Sequence, residues 1–349
     1  MFLHALANAV PAQRLTQREC WEILRGARAT KRLRASSRTL LEKILTGDSG
    51  IETRHFALPD LDSIFELDAE QLNRAFEREA PALGERALRA ALTEAGLKAR
   101  ELDALVVCTC TGYLCPGLSS FVAERVGMRP DVFLQDLVGQ GCGAAIPSLR
   151  TVSHLLAARP SARVACLAVE ICSAAFYLDD DPGVLVSLCL FADGASASIW
   201  NGHPGPTRLH CAGFDSHHSP ADREILRFEN RGGKLRNKLD KSVPDHAAAA
   251  VRQLFARQKG GATQIERVLT HAGGKKVLEA LGPALDDRFP LTESTAVLRQ
   301  YGNMSSPSVL FALGEHLRAS TPVEGDLWLA SFGAGFSCHT CRLTQVKTP

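Results

Sequence analysis

The sequence predicts an α/β protein organised in two halves. Short apolar runs rich in Val, Leu and Cys alternate almost throughout with segments whose apolar residues recur at helical spacing. The chain of 349 residues is too long for one small core and fits one large domain or two of ordinary size. Strands separated by helices imply largely parallel sheets covered on both faces. We place the two halves at residues 1–205 and 206–349.

Early helices are predicted in the first half, together with alternating strands and helices. A strongly amphipathic stretch at 69–97 predicts the longest helix, and 39–47 predicts a shorter one before it. Buried strands are predicted at 103–110, 132–138, 163–172 and 198–200, with helices at 119–128 and 143–159.

The second half repeats the theme after an irregular stretch. Residues 203–244 are rich in Gly, Pro, His and charge, which predicts a connection between the halves and a loop-rich lid. Beyond it, strands are predicted at 265–273 and 325–335, and helices at 274–282 and 308–319.

Composition narrows the classes of partner. A formal net charge of +2 gives no global attraction to nucleic acid or to an anionic membrane, so neither is expected as a partner. No apolar run is long enough for a membrane span, and the N-terminus does not resemble a signal peptide. Eleven cysteines without an export signal indicate a reducing cytoplasm, where most thiols are small buried side chains.

Cys142 is the exception among these cysteines. It lies between two glycines where a predicted strand gives way to a predicted helix, so the unpaired amides and dipole of the helix N-terminus favour its thiolate. A buried structural thiol is the alternative. The same turn also fits Gly139-x-Gly141-x-x-Ala144, with Glu170 ending the next strand, which is the pattern of a dinucleotide-binding loop.

Two further turns carry residues that could act with this thiol. His271 ends a predicted strand before a Gly-Gly turn, and Asn303 follows a glycine before a small-residue helix. Taken singly, His271 could be a structural histidine, and Asn303 with Ser305 could be a helix-capping cluster. Together they offer two hydrogen-bond donors for one thioester carbonyl. Such a pair suits decarboxylation of a malonyl thioester, whose enolate oxygen needs donors and no general base.

At this point four motifs resemble those of the type III polyketide synthases, the chalcone-synthase-like members of the thiolase superfamily. The likeness runs over most of the chain, and the four motifs occur in the family's order. They are DLVGQGCGAA at 136–145, THAGGKKVLEAL at 270–281, YGNMSSPSVLFAL at 301–313 and SFGAGFSCHTCRL at 331–343.

The resemblance implies a thiolase-like, five-layered αβαβα fold with two related halves, a homodimer, and coenzyme A thioesters as substrates without a cofactor. Cys142 would carry the acyl chain, His271 and Asn303 would serve decarboxylation, and Phe191 would be the gatekeeping phenylalanine. The expected reaction is loading of an acyl-CoA starter, extension with malonyl-CoA, and cyclisation to a pyrone or resorcinol-type product.

Other positions follow from the same resemblance. Those that would contact substrate are Cys110, Ala175, Gly273, Gly274 and Ser305. Arg54 is the best match to the basic residues that grip the coenzyme A phosphates, and Lys275 and Lys276 are further candidates. Cys115, beside Pro116, falls where the family places a residue at the dimer interface.

The chain departs from the plant enzymes in its closing motif, where Ala334 replaces a proline of the cyclisation pocket. Small side chains at Cys110 and Ala175 favour a fatty acyl starter over a coumaroyl ring. A single-condensation ketoacyl synthase of the same superfamily, loaded from an acyl carrier protein, is the nearer alternative.

No metal site is expected. Cys338 and Cys341 have the spacing of a metal or redox pair, but residues three apart on a strand point to opposite faces. The histidines near 203–218 are irregularly spaced in what is predicted to be a loop.

Overall fold

The computed structural model describes residues 1–258, 264–319 and 325–346. Its strands are β1 (Phe2–Ala9), β2 (Gln13–Thr16), β3 (Thr53–Phe56), β4 (Ala104–Cys108), β5 (Phe133–Leu137), β6 (Val164–Glu170), β7 (Gly194–Asn201), β8 (Leu209–His218), β9 (Leu226–Arg231), β10 (Lys234–Leu239), β11 (Ile265–Thr270), β12 (Asp326–Gly333) and β13 (Ser337–Gln345).

The helices include all six of those predicted. They are α1 (Gln17–Gly26), α2 (Arg28–Lys31), α3 (Ala35–Thr46), α4 (Ala69–Ala95), α5 (Leu118–Val126), α6 (Ala145–Ala158), α7 (Pro182–Leu190), α8 (Val243–Ala256), α9 (Lys275–Ala284), α10 (Thr292–Tyr301) and α11 (Ser308–Arg318). No helix of the described ranges is both long enough and apolar enough to cross a membrane.

Nine of the strands form one continuous hydrogen-bonded sheet with the order β11-β12-β13-β8-β1-β7-β6-β4-β5. The strands of the first half meet those of the second where Phe2 of β1 pairs with His210 of β8. Only β4 with β5, β4 with β6, and β11 with β12 run parallel; the other neighbours are antiparallel. The expectation of largely parallel sheets is therefore wrong. Five of the eight pairings are antiparallel, and only one of these, β12 with β13, is joined by a short turn.

Helices separate and cover the two halves of this sheet. In the centre, α6 contacts β4 and β6 on one side and β12 and β13 on the other, while α11 contacts β1, β11 and β12. On the outside, α4 packs on β1, β6 and β7, and α8 packs on β8 and β13. The result is helix, sheet, helix, sheet, helix, the five-layered thiolase-like arrangement that the sequence predicts.

The long helix α4 shows why the local sequence folds as it does. Asp68 accepts from the Gln71 amide, and the Gln71 side chain accepts from the Asp68 amide, which closes a capping box. The helix ends at Gly96, whose φ of 65° is a left-handed conformation that favours glycine. Between these ends an apolar stripe that includes Leu83, Ala87 and Leu88 is buried against the sheet.

The stretch 203–244 is not a loop-rich lid, and that prediction is wrong. It contains β8 and a hairpin of β9 and β10, whose turn holds Gly232 and Gly233 at φ 59° and 75°. Two consecutive glycines between runs of alternating apolar and polar residues are a hairpin signal. Here the polar residues on the outward side of both strands made the stretch look like a loop. The hairpin packs on α7 and thereby forms a wall of the site described next.

Candidate active site

The predicted nucleophile occupies a tight turn between β5 and α6. Cys142 lies in a 3-10 turn, Gly141–Gly143, which Ala144 separates from α6, so the thiol stands before this helix rather than within its first turn. Gly141 has φ 59°, and a Cβ there would lie 2.9 Å from the Ala334 amide nitrogen, so only glycine fits. The closing motif thus packs directly on the nucleophile turn, and Cys142 is only 6% exposed.

His271 is held at the end of β11. Its backbone amide donates to the Ala330 carbonyl at 2.9 Å, and its ring makes an edge contact with Phe332 at 5.2 Å. The ring is 2% exposed, and its Nδ1 has no hydrogen-bond partner among the described residues. No carboxylate in that part of the chain therefore holds the ring through Nδ1, as one does in a Ser-His-Asp triad.

Asn303 has an amide whose orientation is fixed by its neighbours. Its Oδ1 accepts from the backbone amide of Ser305 at 2.8 Å, and its Nδ2 donates to the Gly273 carbonyl at 3.1 Å. Because a backbone amide can only donate, the Asn303 oxygen must face Ser305 and the amide cannot flip. One N–H of Asn303 remains for a substrate oxygen.

Phe191 and Asn303 are tied together through their backbones. They form an isolated β-bridge, in which Asn303 donates to the Leu190 carbonyl and Ala192 donates to the Asn303 carbonyl, each at 2.9 Å. Two residues on, the buried Asp193 carboxylate accepts from the Ser173 amide and hydroxyl. Burial raises the pKa of Asp193 to about 6. The β-bridge between Phe191 and Asn303 thus fixes Phe191 beside the Asn303 turn.

Three groups act on the Cys142 thiol. The Ser305 hydroxyl donates to its sulfur at 3.1 Å, and the Cys110 sulfur lies 3.1 Å from the same hydroxyl. The hydrogen bond from the Cys110 thiol is the largest cause that lowers the pKa of Cys142 well below its usual range, and His271 and Ser305 add to it. Burial opposes these effects, and the pKa of Cys110 is raised in return, so the thiolate forms at Cys142.

Ser305 itself is held in a strained backbone conformation. Its φ of 59° is rare for a residue with a side chain, and a capping role alone does not require it. Its hydroxyl contacts the two sulfurs, and backbone outliers of this kind cluster at functional sites.

Glu170, which the dinucleotide alternative needs, is enclosed by the protein. Its carboxylate accepts hydrogen bonds from the Cys110 amide and from the hydroxyls of Thr109, Thr111 and Ser306. Burial raises its pKa above the ordinary value. A carboxylate committed to four donors inside the core cannot bind a ribose, so the glycine turn is not a dinucleotide loop.

A cavity of ≈ 30 Å³ lies beside these residues, between α7 and the β9–β10 hairpin. Ala175 lines it together with Phe191 and Ser305, whereas Cys110 contacts Ser305 and does not line the cavity itself. The remaining lining residues are Thr111, Cys172, Phe176, Tyr177, Val184, Ser187, Leu188, Phe228, Leu235 and Asn237. The hairpin that supplies the last three was missed from the sequence.

Arg54 is not available to coenzyme A phosphates, so that prediction is wrong. Its side chain is 1% exposed and donates to the carbonyls of Leu188 at 2.7 Å and Phe191 at 2.8 Å, and to Gln17 Oε1 at 2.9 Å. The guanidinium also lies over the Phe56 ring. Arg54 therefore holds the backbone of Phe191 from the far side of the site.

The Gly-Gly turn after His271 is close-packed. A Cβ on Gly273 would lie 3.2 Å from the Phe332 ring and 3.3 Å from the His271 ring. Gly274 has φ 150°, outside the range that side chains favour. Lys275, a further candidate for phosphate binding, pairs with Asp48. The Gly273 carbonyl accepts a hydrogen bond from the Asn303 amide and so helps to orient it.

Cys338 and Cys341 are both buried in β13. The Cys341 sulfur lies 3.5 Å from that of Cys211 on β8 rather than beside Cys338. No cluster of His, Cys, Asp and Glu able to hold a metal is present within the described ranges.

The fold and site define a thiolase-like enzyme with an N-terminal and a C-terminal half. The chain superposes on the solved 1,3,6,8-tetrahydroxynaphthalene synthase of Streptomyces coelicolor A3(2) with a TM-score of 0.88 and 25% identity over 100% of both chains. A polyketide synthase from the brown alga Ectocarpus siliculosus gives 0.89 at 24% identity, over 99% of this chain and 98% of that one, and shows the fold alone.

Sequence comparison identifies the family. Residues 8–209, more than half of the chain, match the model described as FAE1/Type III polyketide synthase-like protein, and residues 255–344 match the 3-Oxoacyl-[acyl-carrier-protein (ACP)] synthase III C terminal. A 1,3,6,8-tetrahydroxynaphthalene synthase of Streptomyces peucetius subsp. caesius is 32% identical over 95% of this chain and 90% of that protein. A 3,5-dihydroxyphenylacetyl-CoA synthase of Streptomyces toyocaensis is 31% identical over 84% and 80%. The chain belongs to the type III polyketide synthase family, whose members are condensing acyltransferases.

Proposed function

We propose that this synthase transfers an acyl group from a coenzyme A thioester to Cys142 and extends it with malonyl-CoA units. The observation that carries the proposal is a hydrogen-bonded chain from Asn303 through Ser305 to the Cys142 sulfur, with His271 beside the thiol. Residues 142, 271 and 303 lie far apart in sequence, and the fold brings their reactive groups into one buried site.

Loading uses the lowered pKa of Cys142. Its thiolate attacks the thioester carbonyl of the starter, and the negative charge that develops on the carbonyl oxygen is stabilised by N–H donors nearby. Collapse of this intermediate expels the coenzyme A thiolate, which takes up a proton, and the acyl group stays on Cys142. Burial of the sulfur keeps water from competing for the acyl thioester.

Extension uses the two donors. The ring N–H of His271 and the remaining N–H of Asn303 bind the thioester carbonyl oxygen of malonyl-CoA. Loss of CO₂ leaves an enolate on that oxygen, which the two donors stabilise without taking up a proton. The enolate carbon attacks the acyl carbon on Cys142, the C–S bond breaks, and the elongated chain leaves on coenzyme A. Phe191, bridged to Asn303, shields this step from solvent.

The product is proposed to be an aromatic polyphenol built mainly from malonyl units. Relatives are named for 1,3,6,8-tetrahydroxynaphthalene, 3,5-dihydroxyphenylacetyl-CoA and phloroglucinol. The carbons of each can be assembled from two-carbon units without a long acyl chain. A fatty acyl starter stays an untested prediction.

We propose that the enzyme acts as a homodimer joined along β5. This strand is at one edge of the nine-stranded sheet. Phe133 at its start and Val138 just beyond its end are 49% and 51% exposed. Tyr113, 74% exposed, lies in the loop after the neighbouring β4, as does Cys115. An exposed apolar edge strand calls for a partner, and a second copy of the chain can pair with it. A sedimentation mass near 37.6 kDa rather than twice that value would overturn the dimer.

We also place the protein in the cytoplasm, because all eleven cysteines are free thiols. The boundary between the halves is proposed at 205/206, in the connection between β7 and β8.

A carrier-protein donor is the second candidate, and the match of residues 255–344 to the C-terminal part of a carrier-protein-dependent synthase favours it. In that case the acyl group would reach Cys142 from a carrier thioester rather than from free coenzyme A.

Intact-protein mass spectrometry tests these proposals. The purified chain is mixed with malonyl-, acetyl-, palmitoyl- or coumaroyl-CoA, or with the corresponding acyl carrier protein thioester. We expect one acyl group per chain from a short acyl-CoA, no adduct on Cys142→Ala, and a loss of product of about 10⁴-fold or more in that variant. Cys166→Ala, a buried cysteine of β6, is the matched control. An adduct that persists on Cys142→Ala, or one that forms only from a carrier thioester, contradicts the proposal.

A further inference from the structure

The cavity beside Cys142 contains a polar pair set among apolar side chains. Asn237 on β10 and Ser187 on α7 both line it, and Asn237 is 7% exposed. The Asn237 Nδ2 donates to the Ser187 hydroxyl oxygen at 2.8 Å. Most of the other lining residues are apolar or aromatic, so this pair is one of the few polar groups in the cavity that could orient a ligand.

The orientation of the Asn237 amide is fixed by Ser187. The Ser187 hydroxyl donates its single proton to the Gly183 carbonyl at 2.6 Å, so it can only accept from Asn237. The Asn237 nitrogen must therefore face Ser187, and its carbonyl oxygen faces away. That oxygen is buried and has no hydrogen-bond partner in the part of the chain that the structure describes. A buried acceptor without a donor is costly to fold and calls for an explanation.

The same cavity adjoins the nucleophile. Ser305 lines it, and the Ser305 hydroxyl lies 3.1 Å from the Cys142 sulfur. A polyketide chain held on Cys142 and directed past Ser305 into this cavity therefore approaches Asn237. The Asn237 oxygen is an acceptor only, so it repels ketone oxygens and attracts a group that carries an O–H.

On the basis of the proposed function, we infer that Asn237 is a positioning residue that accepts a hydrogen bond from an enol hydroxyl of the growing polyketide. Poly-β-ketones supply such hydroxyls by enolisation, and the α-carbon of an enol is the nucleophile in ring closure. When the ring closes, that carbon bonds to a carbonyl carbon, the C=O π bond breaks, the enol oxygen loses its proton and the new alkoxide gains one. Asn237 exchanges no proton; it selects which enol is presented.

The test compares Asn237→Leu with Asn237→Asp, because both replacements keep the branched shape while only Asp keeps an acceptor oxygen. Each protein receives malonyl-CoA, and three quantities are measured: acylation of Cys142 by mass spectrometry, CO₂ release, and the ratio of aromatic to lactone and open-chain products. We expect Asn237→Leu to lower that ratio about tenfold, with acylation and CO₂ release within about twofold of the wild type. Asn237→Asp should stay within about threefold of the wild-type ratio.

An unchanged product ratio in folded Asn237→Leu overturns the role of Asn237, and so does an equal loss of CO₂ release and ring closure, which indicates a structural defect. If Asn237→Leu does not fold, Ser187→Ala decides the question, because it releases the nitrogen and lets the amide turn. A smaller shift in the same direction supports the inference, and the wild-type ratio overturns it. Absence of any acyl adduct on the wild-type protein would instead contradict the proposed function.

Discussion

The catalytic centre and the cavity beside it are adjacent but built from different parts of the chain. Cys142, His271 and Asn303 stand in turns at the ends of strands or before helices, and hydrogen bonds involving their own or neighbouring backbones hold these turns. Six of the thirteen residues that line the cavity come from α7 and from the β9–β10 hairpin, and four more, Cys172, Ala175, Phe176 and Tyr177, come from the segment after β6. Rigid turns suit groups whose positions the reaction fixes, and side chains suit a surface that must fit a particular chain.

This difference implies that mutations in the two regions should have different effects. A change in the turns should remove chemistry whatever the substrate, whereas a change in the wall should redirect the product while the thiol is still acylated. The following experiments test whether changes in the turns and changes in the wall have these separate effects.

The largest effect in this series is expected from the two donors. Asn303→Ala and His271→Ala should each lower CO₂ release from malonyl-CoA by roughly 10²- to 10³-fold, because each removes one donor to the enolate oxygen. Acylation of Cys142 by a short acyl-CoA should still occur in both variants. Ser305→Ala, which removes a hydrogen bond to the thiol but no donor to the enolate, is the matched control and should lose about tenfold or less. Wild-type CO₂ release in Asn303→Ala would show that this turn does not supply the donor for decarboxylation.

A second effect concerns Arg54, which links the two regions through the carbonyls of Leu188 and Phe191. Arg54→Met should lower the free energy of unfolding by about 3 kcal/mol, because two buried carbonyls and Gln17 lose their donor. Urea denaturation measures this loss, and Arg54→Lys, which keeps a donor, should lose less. If Arg54 instead bound coenzyme A, the Met variant would raise KM for malonyl-CoA and leave the unfolding free energy unchanged.

The positions of the reactive turns could be predicted because each pairs a chemistry-bearing side chain with one or more glycines, at a strand end for Cys142 and His271 and before a helix for Asn303. Cys142, His271 and Asn303 were recognised in this way, and the structure brings their turns together. The roles given to Gly273 and Ser305 stay predictions, although the structure shows what each contacts: Gly273 holds the Asn303 amide and Ser305 faces the two sulfurs.

The cavity wall could not be predicted, for two physical reasons. Burial of Arg54 depends on carbonyls that lie 134 and 137 positions away in sequence, so nothing near it distinguishes a buried cation from a surface one. The β9–β10 hairpin carries charged residues on its outward side, which gave the stretch the composition of a loop. Asn237 lines the cavity only because this hairpin packs on α7.

The smallest expected effect is a shift in the pH dependence of Cys142 alkylation, and it tests whether the centre is set by its near neighbours. Because the thiolate is the form that reacts, and hydrogen bonds from Cys110, with His271 and Ser305, lower the pKa of Cys142, iodoacetamide should modify it at pH values below the ordinary thiol pKa of about 8.5. The rate should fall only as the pH drops through this lowered pKa. Cys110→Ala removes the largest of these contributions, so its midpoint should move upward, and Ser305→Ala should move it upward by less. Peptide mass spectrometry follows the reaction at Cys142, with the Cys142→Ala protein as the blank. A wild-type midpoint at or above that of an ordinary thiol would show that burial outweighs the three neighbours, and the reactivity of the turn would then have to come from the substrate-bound state.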